Sequence, residues 1–241
     1  MQRGDIISTT VQGRNTHCYL PVGGAECLLL LIDGKKEVLF GLVQQITAAY
    51  GRCPAAIVTV QPSDWFEEFS PWPAPALFAG QAPFGGMGDR YLDDVLCHIL
   101  PHICQQYNLQ LPVCRRGVIG YSRGGLMAVY TWLGRGGFGG FASCSGSMWY
   151  PNFLSWMQGK APAVKNGFGY LSLGDREQIK KIPAFANVND CAAAATQYLQ
   201  QCCPTGQVVF AWNPGDHGDQ VIQRLGKGAV YLVQKMMECN N

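Results

Sequence analysis

Residues 115–126 read Arg-Arg-Gly-Val-Ile-Gly-Tyr-Ser-Arg-Gly-Gly-Leu, and this stretch decides the fold prediction. The apolar run before Ser122 predicts a buried strand, and the residues from 123 to about 133 predict a helix. Gly120, Ser122 and Gly124 form a G-x-S-x-G pattern, which fits a sharp turn between a strand and a helix because larger side chains would collide there. We expect this turn to project the Ser122 hydroxyl from the edge of a sheet.

Short apolar runs alternate with segments of helical period on both sides of this turn. The strand-like runs cover residues 27–33, 55–61, 138–145, 168–174 and 207–213, and helical patterns cover about 37–50, 92–103 and 219–237. Apolar strands separated by helices indicate a mostly parallel sheet covered on both faces. The first 20 residues predict an antiparallel hairpin added at the sheet edge. We therefore predict one three-layer α/β domain over residues 1–241, with its site beyond the carboxyl ends of the strands.

The composition excludes several classes of protein. Hydrophobic residues make up 48% of the 241 residues and charged residues 14%, whereas disordered chains combine low hydrophobicity with high charge. The 18 basic residues give a net charge of only +2 and form no stripe for nucleic acid. The longest apolar run, Cys27–Ile32, is far shorter than the ~20 residues that cross a bilayer. We expect no nucleic-acid partner and no membrane partner.

The cysteines predict thiols rather than disulfides or a metal site. There are eleven, an odd number, and several lie in apolar segments where a thiol acts as a small hydrophobe. With an N-terminus, MQRGDIISTT, that lacks the architecture of a secretion signal, this favours a cytoplasmic location. His98 and His102 have metal-like spacing but no third ligand on the same helix face, so we expect no metal.

A nucleophilic serine needs a base, and the chain contains four histidines. His17 falls in the predicted hairpin, and His98 and His102 fall in an amphipathic helix. His217 lies between the last strand and the last helix, where the chain order serine, acid, histidine places the base. The alternative is a loop histidine that caps the last helix.

The acid that orients such a histidine should follow the strand at 168–174. Asp175 and Glu177 are the two candidates there, and one of them must be a solvated charge in a turn. Asp190 lies farther along the chain, and Asp216 adjoins His217, so both are weaker candidates.

Residues 62–88 form the one long segment without clear periodicity. Its aromatic residues Trp65, Phe66, Phe69 and Trp72 argue against disorder. Long ordered loops in compact domains are usually functional, so we expect this aromatic loop to lie near the active site.

The chain resembles the putative-esterase family of α/β-hydrolases, which includes enterochelin esterase-like, esterase D-like and feruloyl esterase-like proteins. The resemblance covers nearly the whole chain. Its motifs are Leu31–Gly34, Ser63–Trp65, PWPAP at 71–75, the segment 84–92, GYSRGG at 120–125, SGSMWY at 145–150 and the histidine loop that ends at Arg224. The segment 145–150 is the most discriminating of these motifs.

The resemblance implies an α/β-hydrolase fold and a serine carboxylic-ester hydrolase that acts through an acyl-enzyme on a small-molecule ester, without a cofactor. The family's acid stands three residues after the strand-ending glycine, which favours Glu177 over Asp175. The first oxyanion donor is the backbone N–H of Arg123, at the helix N-terminus. The resemblance places the second donor at the N–H groups of Gly34 and Lys35.

The substrate pocket and the reaction leave alternatives open. Trp65, Trp72, Tyr121 and Trp149 could line an acyl or aryl pocket, or the tryptophans could pack in the core or a lid. The chain has no room for the extra N-terminal domain of some siderophore esterases, which disfavours a large macrocyclic substrate. An acyltransferase would share the first half-reaction, and a non-catalytic binding protein could use the same scaffold. No oligomeric state is predicted.

Overall fold

A computed structural model describes residues 4–239, so residues 1–3 and 240–241 of the predicted domain lie outside the described part. The strands, in chain order, are β1 Ile6–Val11, β2 Arg14–Tyr19, β3 Cys27–Ile32, β4 Ala55–Val60, β5 Pro73–Ala74, β6 Phe84–Gly85, β7 Arg116–Tyr121, β8 Gly140–Cys144, β9 Phe168–Gly174 and β10 Val208–Asn213. Eight of them form one sheet in the order β1-β2-β4-β3-β7-β8-β9-β10, and β5 pairs with β6 separately.

Helices lie between most of the strands. They are α1 Lys36–Tyr50, α2 Trp65–Glu68, α3 Gly88–Asp93, α4 Leu100–Tyr107, α5 Arg123–Gly134, α6 Phe153–Gln158, α7 Val188–Cys202 and α8 Val221–Glu238, with a π-helical segment at Asp94–Ile99 and 3₁₀ turns at Val113–Arg115 and Pro183–Phe185. No helix among residues 4–239 is long and apolar enough to cross a membrane.

The central strands are buried on both faces, which is why their sequences are apolar throughout. In β3, Leu28, Leu30 and Ile32 pack into one core cluster, which also contains the buried residues of α5. The alternate residues Leu29 and Leu31 pack into a second cluster with α1 and α8. Side chains of a strand alternate between faces, so the two clusters are the two sides of a three-layer structure.

The N-terminal hairpin lies at one edge of the sheet, as predicted. Strands β1 and β2 pair antiparallel, with Ile6 opposite Tyr19, and β2 pairs antiparallel with β4. The remaining neighbours in the large sheet are parallel. The predicted fold class is confirmed.

Several helical features differ from the sequence prediction, since α2, α6 and α7 were not predicted. Helix α7 was not predicted, because its buried face is built largely from small residues such as Ala192 and Ala195, which give a weak hydrophobic period. The helix expected over 92–103 is widened into π-helical turns just before Pro101. Proline has no N–H to donate to the preceding turn, and π-bulges accommodate such an interruption.

The aromatic loop 62–88 is ordered. Its short helix α2 begins at Asp64, whose side chain accepts the N–H groups of Phe66 and Glu67, as N-cap residues do. Arg14 of the hairpin donates to Glu68 at 2.7 Å and to Asp94 at 2.8 Å. These ion pairs attach the loop to the sheet edge and to the π-helical segment.

The prediction that all eleven cysteines are thiols is wrong for two of them. Cys114, in the turn before β7, forms a disulfide with Cys239, which follows α8. The other nine cysteines are unbridged. The two partners are 125 residues apart in sequence, so their pairing cannot be deduced from sequence alone. The disulfide also removes the reduced cysteines as an argument for a cytoplasmic location.

Candidate active site

Ser122 stands in the turn between β7 and α5, in a backbone conformation with φ 55° and ψ −121°. Non-glycine residues adopt positive φ at a cost, and strained residues of this kind cluster at active sites. The flanking glycines permit this turn, because a Cβ on Gly120 would lie 2.3 Å from the backbone of Gly124. A Cβ on Gly124 would lie 2.2 Å from the carbonyl oxygen of Ile32. Strand and helix therefore approach each other too closely for any side chain at these positions.

His217 and Glu177 extend from Ser122 as a chain of hydrogen bonds. The Ser122 Oγ lies 2.9 Å from His217 Nε2, and His217 Nδ1 lies 2.7 Å from Glu177 Oε2. A carboxylate can only accept, so Nδ1 carries the proton and Nε2 is left to accept from the serine hydroxyl. The three residues follow β7, β10 and β9, at the carboxyl edge where α/β folds hold their sites.

Glu177 is buried and its second oxygen is fully engaged. Oε1 accepts from Ser145 Oγ at 2.7 Å, from the Gly174 N–H at 2.7 Å and from Arg224 Nη1 at 2.8 Å. Burial by itself raises the pKa of the Glu177 carboxyl, but hydrogen bonds from His217 and Ser145 outweigh it, so the pKa is lowered below its usual value. Glu177 therefore stays an anion facing the imidazole.

Asp175 has a different role in the structure. It is exposed, and its Oδ1 accepts the N–H of Gly215 at 2.9 Å, which connects the end of β9 to the loop that carries His217. Asp216 accepts the N–H of Gly218. Of the sequence candidates for the acid, only Glu177 is hydrogen-bonded to the imidazole of His217.

Arg224 and Tyr121 support the same loop from inside the protein. The Arg224 side chain is fully buried and donates through Nη1 to Tyr121, Ser145 and Glu177, and through Nη2 to the Pro214 carbonyl. The Tyr121 hydroxyl in turn donates to the backbone carbonyl of His217 at 2.8 Å. Tyr121 was predicted to line the substrate pocket, but it is not among the residues that line the cavity, and its hydroxyl instead supports the histidine loop.

The backbone N–H groups predicted to donate to an oxyanion differ in whether they already have a hydrogen-bond partner. Arg123 is the first residue of α5, so its N–H has no partner within the helix and faces outward at the positive end of the helix dipole. The prediction for Gly34 and Lys35 is wrong for this structure. The Gly34 N–H donates to Thr59 Oγ1 at 2.7 Å and the Lys35 N–H donates to Asp33 Oδ1 at 3.0 Å, so both donors are occupied.

A cavity of about 230 Å³ opens beside Ser122 and His217. Most of its wall is apolar, and Phe66, Leu77, Phe78 and Phe84 of the wall come from the aromatic loop. Phe185 and Val188 also line the cavity, and the ring of Phe185 lies 6.2 Å from that of Phe78. Pockets of this kind, apolar with a few polar groups at one end, are typical of small-molecule sites.

The three predicted pocket tryptophans take different places. Trp149 lines the cavity. Trp72 packs against Tyr130, Tyr150, Phe153 and Trp156 and donates its indole N–H to the Pro151 carbonyl. Trp65 packs against Phe69. Trp65 and Trp72 therefore pack against other aromatic rings and are not among the residues that line this cavity.

Ser145 is a site residue to which sequence reasoning gave no role. It follows β8 and has a φ of 46°; its hydroxyl contacts both Glu177 and Arg224. The segment SGSMWY was the signal that could have identified it, since Gly146 and Ser147 directly follow the predicted strand 138–145 and indicate a tight turn at its end.

The arrangement can perform acyl transfer. A hydroxyl lies within hydrogen-bond distance of an imidazole, the imidazole is oriented by a buried carboxylate, and a free helix N–H lies next to the hydroxyl. Within residues 4–239, no group of three His, Cys, Asp or Glu side chains is placed to hold a metal ion.

The chain is similar to a family of known proteins and to several solved structures. The family model described as putative esterase matches residues 10–187. An IroE-like serine hydrolase from Shewanella oneidensis superposes with a TM-score of 0.77, at 18% identity, over 95% of this chain and 80% of that one. The siderophore hydrolase EstB from Aspergillus nidulans gives a TM-score of 0.72 at 17% identity, over 96% of both chains. At such identities these two structures show the shared fold.

A curated relative from Bacillus subtilis (strain 168), the uncharacterized protein YbbA, is 32% identical over 126 residues. That alignment covers 52% of this chain and 50% of the relative. The chain thus spans about half the length of this curated relative.

Proposed function

The chain belongs to the putative esterase family, and on that premise we propose that it is a serine carboxylic-ester hydrolase that works through an acyl-enzyme. The observation that carries the proposal is the unbroken hydrogen-bonded path from Ser122 through His217 to Glu177. Its substrates are small-molecule esters, and no cofactor takes part. We propose that the whole chain acts as one catalytic domain.

In the first half-reaction, Ser122 Oγ attacks the ester carbonyl carbon while His217 Nε2 takes the hydroxyl proton. Glu177 keeps the imidazole in the tautomer that can accept this proton and stabilises the imidazolium that forms. The carbonyl oxygen becomes an oxyanion, to which the Arg123 N–H donates. His217 then gives its proton to the departing alcohol, and the carbonyl carbon stays bonded to Ser122.

In the second half-reaction, water takes the place of the alcohol. His217 removes a proton from the water as it attacks the acyl carbon, and then returns that proton to Ser122 Oγ as the acid leaves. The rings of Phe66, Phe84 and Trp149 at the cavity wall favour esters with an apolar or aromatic portion, because burying apolar surface is favourable.

An acyltransferase is the second candidate, because an alcohol in place of water would complete the same cycle. The exposure of His217 supports this candidate. About half of its side chain is exposed, so an alcohol can approach the imidazole as water does. The two candidates share the acyl-enzyme and differ in the group that accepts the acyl chain.

The test is rapid mixing with 4-nitrophenyl butyrate, followed by release of 4-nitrophenol and by intact-mass measurement of the quenched protein. We expect an acylated protein that carries one butyryl group and disappears in Ser122→Ala. Ser155 is an exposed serine on α6, so Ser155→Ala is the matched control and should be acylated normally. Adding methanol separates the candidates: butyrate as the main product supports the hydrolase, and methyl butyrate supports the transferase. A protein that releases no 4-nitrophenol would contradict both.

A further inference from the structure

The guanidinium of Arg123 lies at the cavity with most of its hydrogen-bond donors unused. Arg123 lines the cavity and is only 8% exposed. Its Nη1 donates to the Trp65 carbonyl at 3.0 Å. Nε and Nη2 have no partner among the described residues, yet neither is sealed from solvent, in contrast to Nε of Arg224. The guanidinium lies over the rings of Phe66 and Phe84, which line the same cavity, so these donors are available to a molecule there.

Among residues 4–239, no carboxylate forms an ion pair with Arg123, and Asp64 acts on the guanidinium only as a more distant charge. The ion pairs among residues 4–239 involve other cations. Glu177 is the acidic residue of the cavity wall, and both of its oxygens are engaged by other groups. The guanidinium lies over the rings of Phe66, at 4.2 Å, and Phe84, at 5.2 Å. Such cation–π contacts hold a cation without neutralising it.

A structural role explains only part of this arrangement. Supporting the Trp65 carbonyl needs one donor, which a neutral side chain could supply, whereas a buried charge without a partner carries a desolvation cost. Burial lowers the pKa of Arg123 to about 10, so the side chain is still a cation at neutral pH. A fixed cation beside a reactive serine is suited to an anion that arrives with the substrate.

We propose that Arg123 binds a carboxylate of the substrate, so that the ester hydrolysed here carries a free carboxylate in addition to its apolar portion. This inference rests on the proposed esterase function and specifies its substrate class. A planar guanidinium with donors side by side matches the two oxygens of a carboxylate. Arg123 is thus a specificity residue, next in sequence to the nucleophile but acting through its side chain.

The test compares esters that differ only in this charge. One series consists of the monomethyl esters of straight-chain dicarboxylic acids from succinate to suberate, each paired with its neutral monoamide. A second series consists of acetate esters of ω-hydroxy acids with their amides, which place the carboxylate on the alcohol side. At the chain length that reaches Arg123, we expect kcat/KM for the acid to exceed that for the amide by about tenfold or more, mainly through KM, as charged hydrogen bonds do.

Two variants separate recognition from support of the loop. Arg123→Gln keeps a donor for Trp65 and loses the charge, so we expect the acid and the amide to become equal substrates. Arg123→Lys keeps the charge, and part of the preference should return. Arg176→Met, which removes an exposed arginine that pairs with Asp219, is the control and should keep the preference. Thermal unfolding confirms that each variant is folded.

The inference is overturned if wild-type protein treats acid and amide alike at every length, or if the preference survives in Arg123→Gln. Failure of the esterase function itself gives a different result, in which no ester of either kind is hydrolysed. In that event, calorimetry of suberate monomethyl ester and its amide with Ser122→Ala still decides the question. The inference is supported if Ser122→Ala binds the acid more tightly than the amide and the double variant with Arg123→Gln binds the two alike. Equal binding of acid and amide by Ser122→Ala overturns it.

Discussion

Glu177 makes more hydrogen bonds than the orientation of His217 alone requires. One oxygen faces the imidazole, and the other accepts from Ser145, Gly174 and Arg224. These three donors fix the carboxylate in position, so that the oxygen facing His217 cannot rotate away. All of the donors around Oε1 require an acceptor there, which makes the site intolerant of an amide nitrogen.

The two carboxylates after β9 therefore respond differently to the same change. In Glu177→Gln, the amide cannot accept from every neighbour and the imidazole loses its anion, so we expect turnover to fall by roughly 10³–10⁴-fold. In Asp175→Asn, the side-chain oxygen can still accept the Gly215 N–H, and turnover should stay near normal. The measurement is turnover of a good aryl ester at saturating concentration. The reverse pattern would assign the acid to Asp175.

The lowered pKa of Glu177 also affects stability. A carboxyl whose pKa is lower in the folded than in the unfolded protein stabilises the fold above the unfolded value, and this contribution is lost as pH falls through the folded value. We expect the free energy of unfolding to decrease as pH falls below the ordinary value of 4.5, and Glu177→Gln to lack that part of the decrease. Denaturant titrations of both proteins from pH 7 to pH 3 measure it. Parallel pH curves for the two proteins would refute the assignment.

At the scale of elements, the site depends on the close contact between β7 and α5. Gly124→Ala would put a Cβ 2.2 Å from the Ile32 carbonyl oxygen, and either strand or helix must shift. We expect a loss of at least about 1–3 kcal/mol of stability together with loss of turnover. Gly159→Ala is the control, since its Cβ would meet nothing nearer than 3.5 Å. Denaturant unfolding and ester turnover check both variants; an active, fully stable Gly124→Ala would contradict this view of the turn.

Elements with a strong pattern could be predicted from sequence, and elements defined by their contacts could not. The apolar run of β3 and the glycines around Ser122 carry their structure in the local sequence. The N–H of Gly34 is different, because its acceptor Thr59 lies 25 residues away on β4 and meets it only through strand pairing. The orientation of the Trp72 side chain likewise depends on α6, because its ring packs against Phe153 and Trp156 of that helix.

The candidate site shows the same division. Ser122 and His217 could be chosen from a motif and from the scarcity of histidines. The residues of the cavity wall could not be predicted from the sequence. Phe185 and Val188 come from a segment with no catalytic motif, and only the fold brings them to the cavity. The position after β9 restricts the acid to two residues, Asp175 and Glu177. Only the three-dimensional structure shows that Glu177 is hydrogen-bonded to His217.

At the scale of the molecule, the disulfide joins the start of β7 to the end of α8. Closing a loop of 125 residues restricts the unfolded chain, so we expect its reduction to lower the free energy of unfolding by about 2–4 kcal/mol. Thiol titration of the denatured, unreduced protein should find nine thiols, and eleven after reduction. Eleven thiols without a reductant would contradict the bridge, and Cys114→Ser should reproduce the effect of reduction.

The central claim is that Ser122 is the nucleophile of an esterase, and turnover of one aryl ester by purified Ser122→Ala tests it most directly. The hydrogen bonds at Ser122 Oγ and His217 predict a loss of at least about 10³-fold, with only binding and the helix N–H left to assist water. Ser155→Ala should keep full activity, and both variants should unfold at the wild-type temperature. A folded Ser122→Ala that retains a substantial fraction of wild-type turnover would contradict the account.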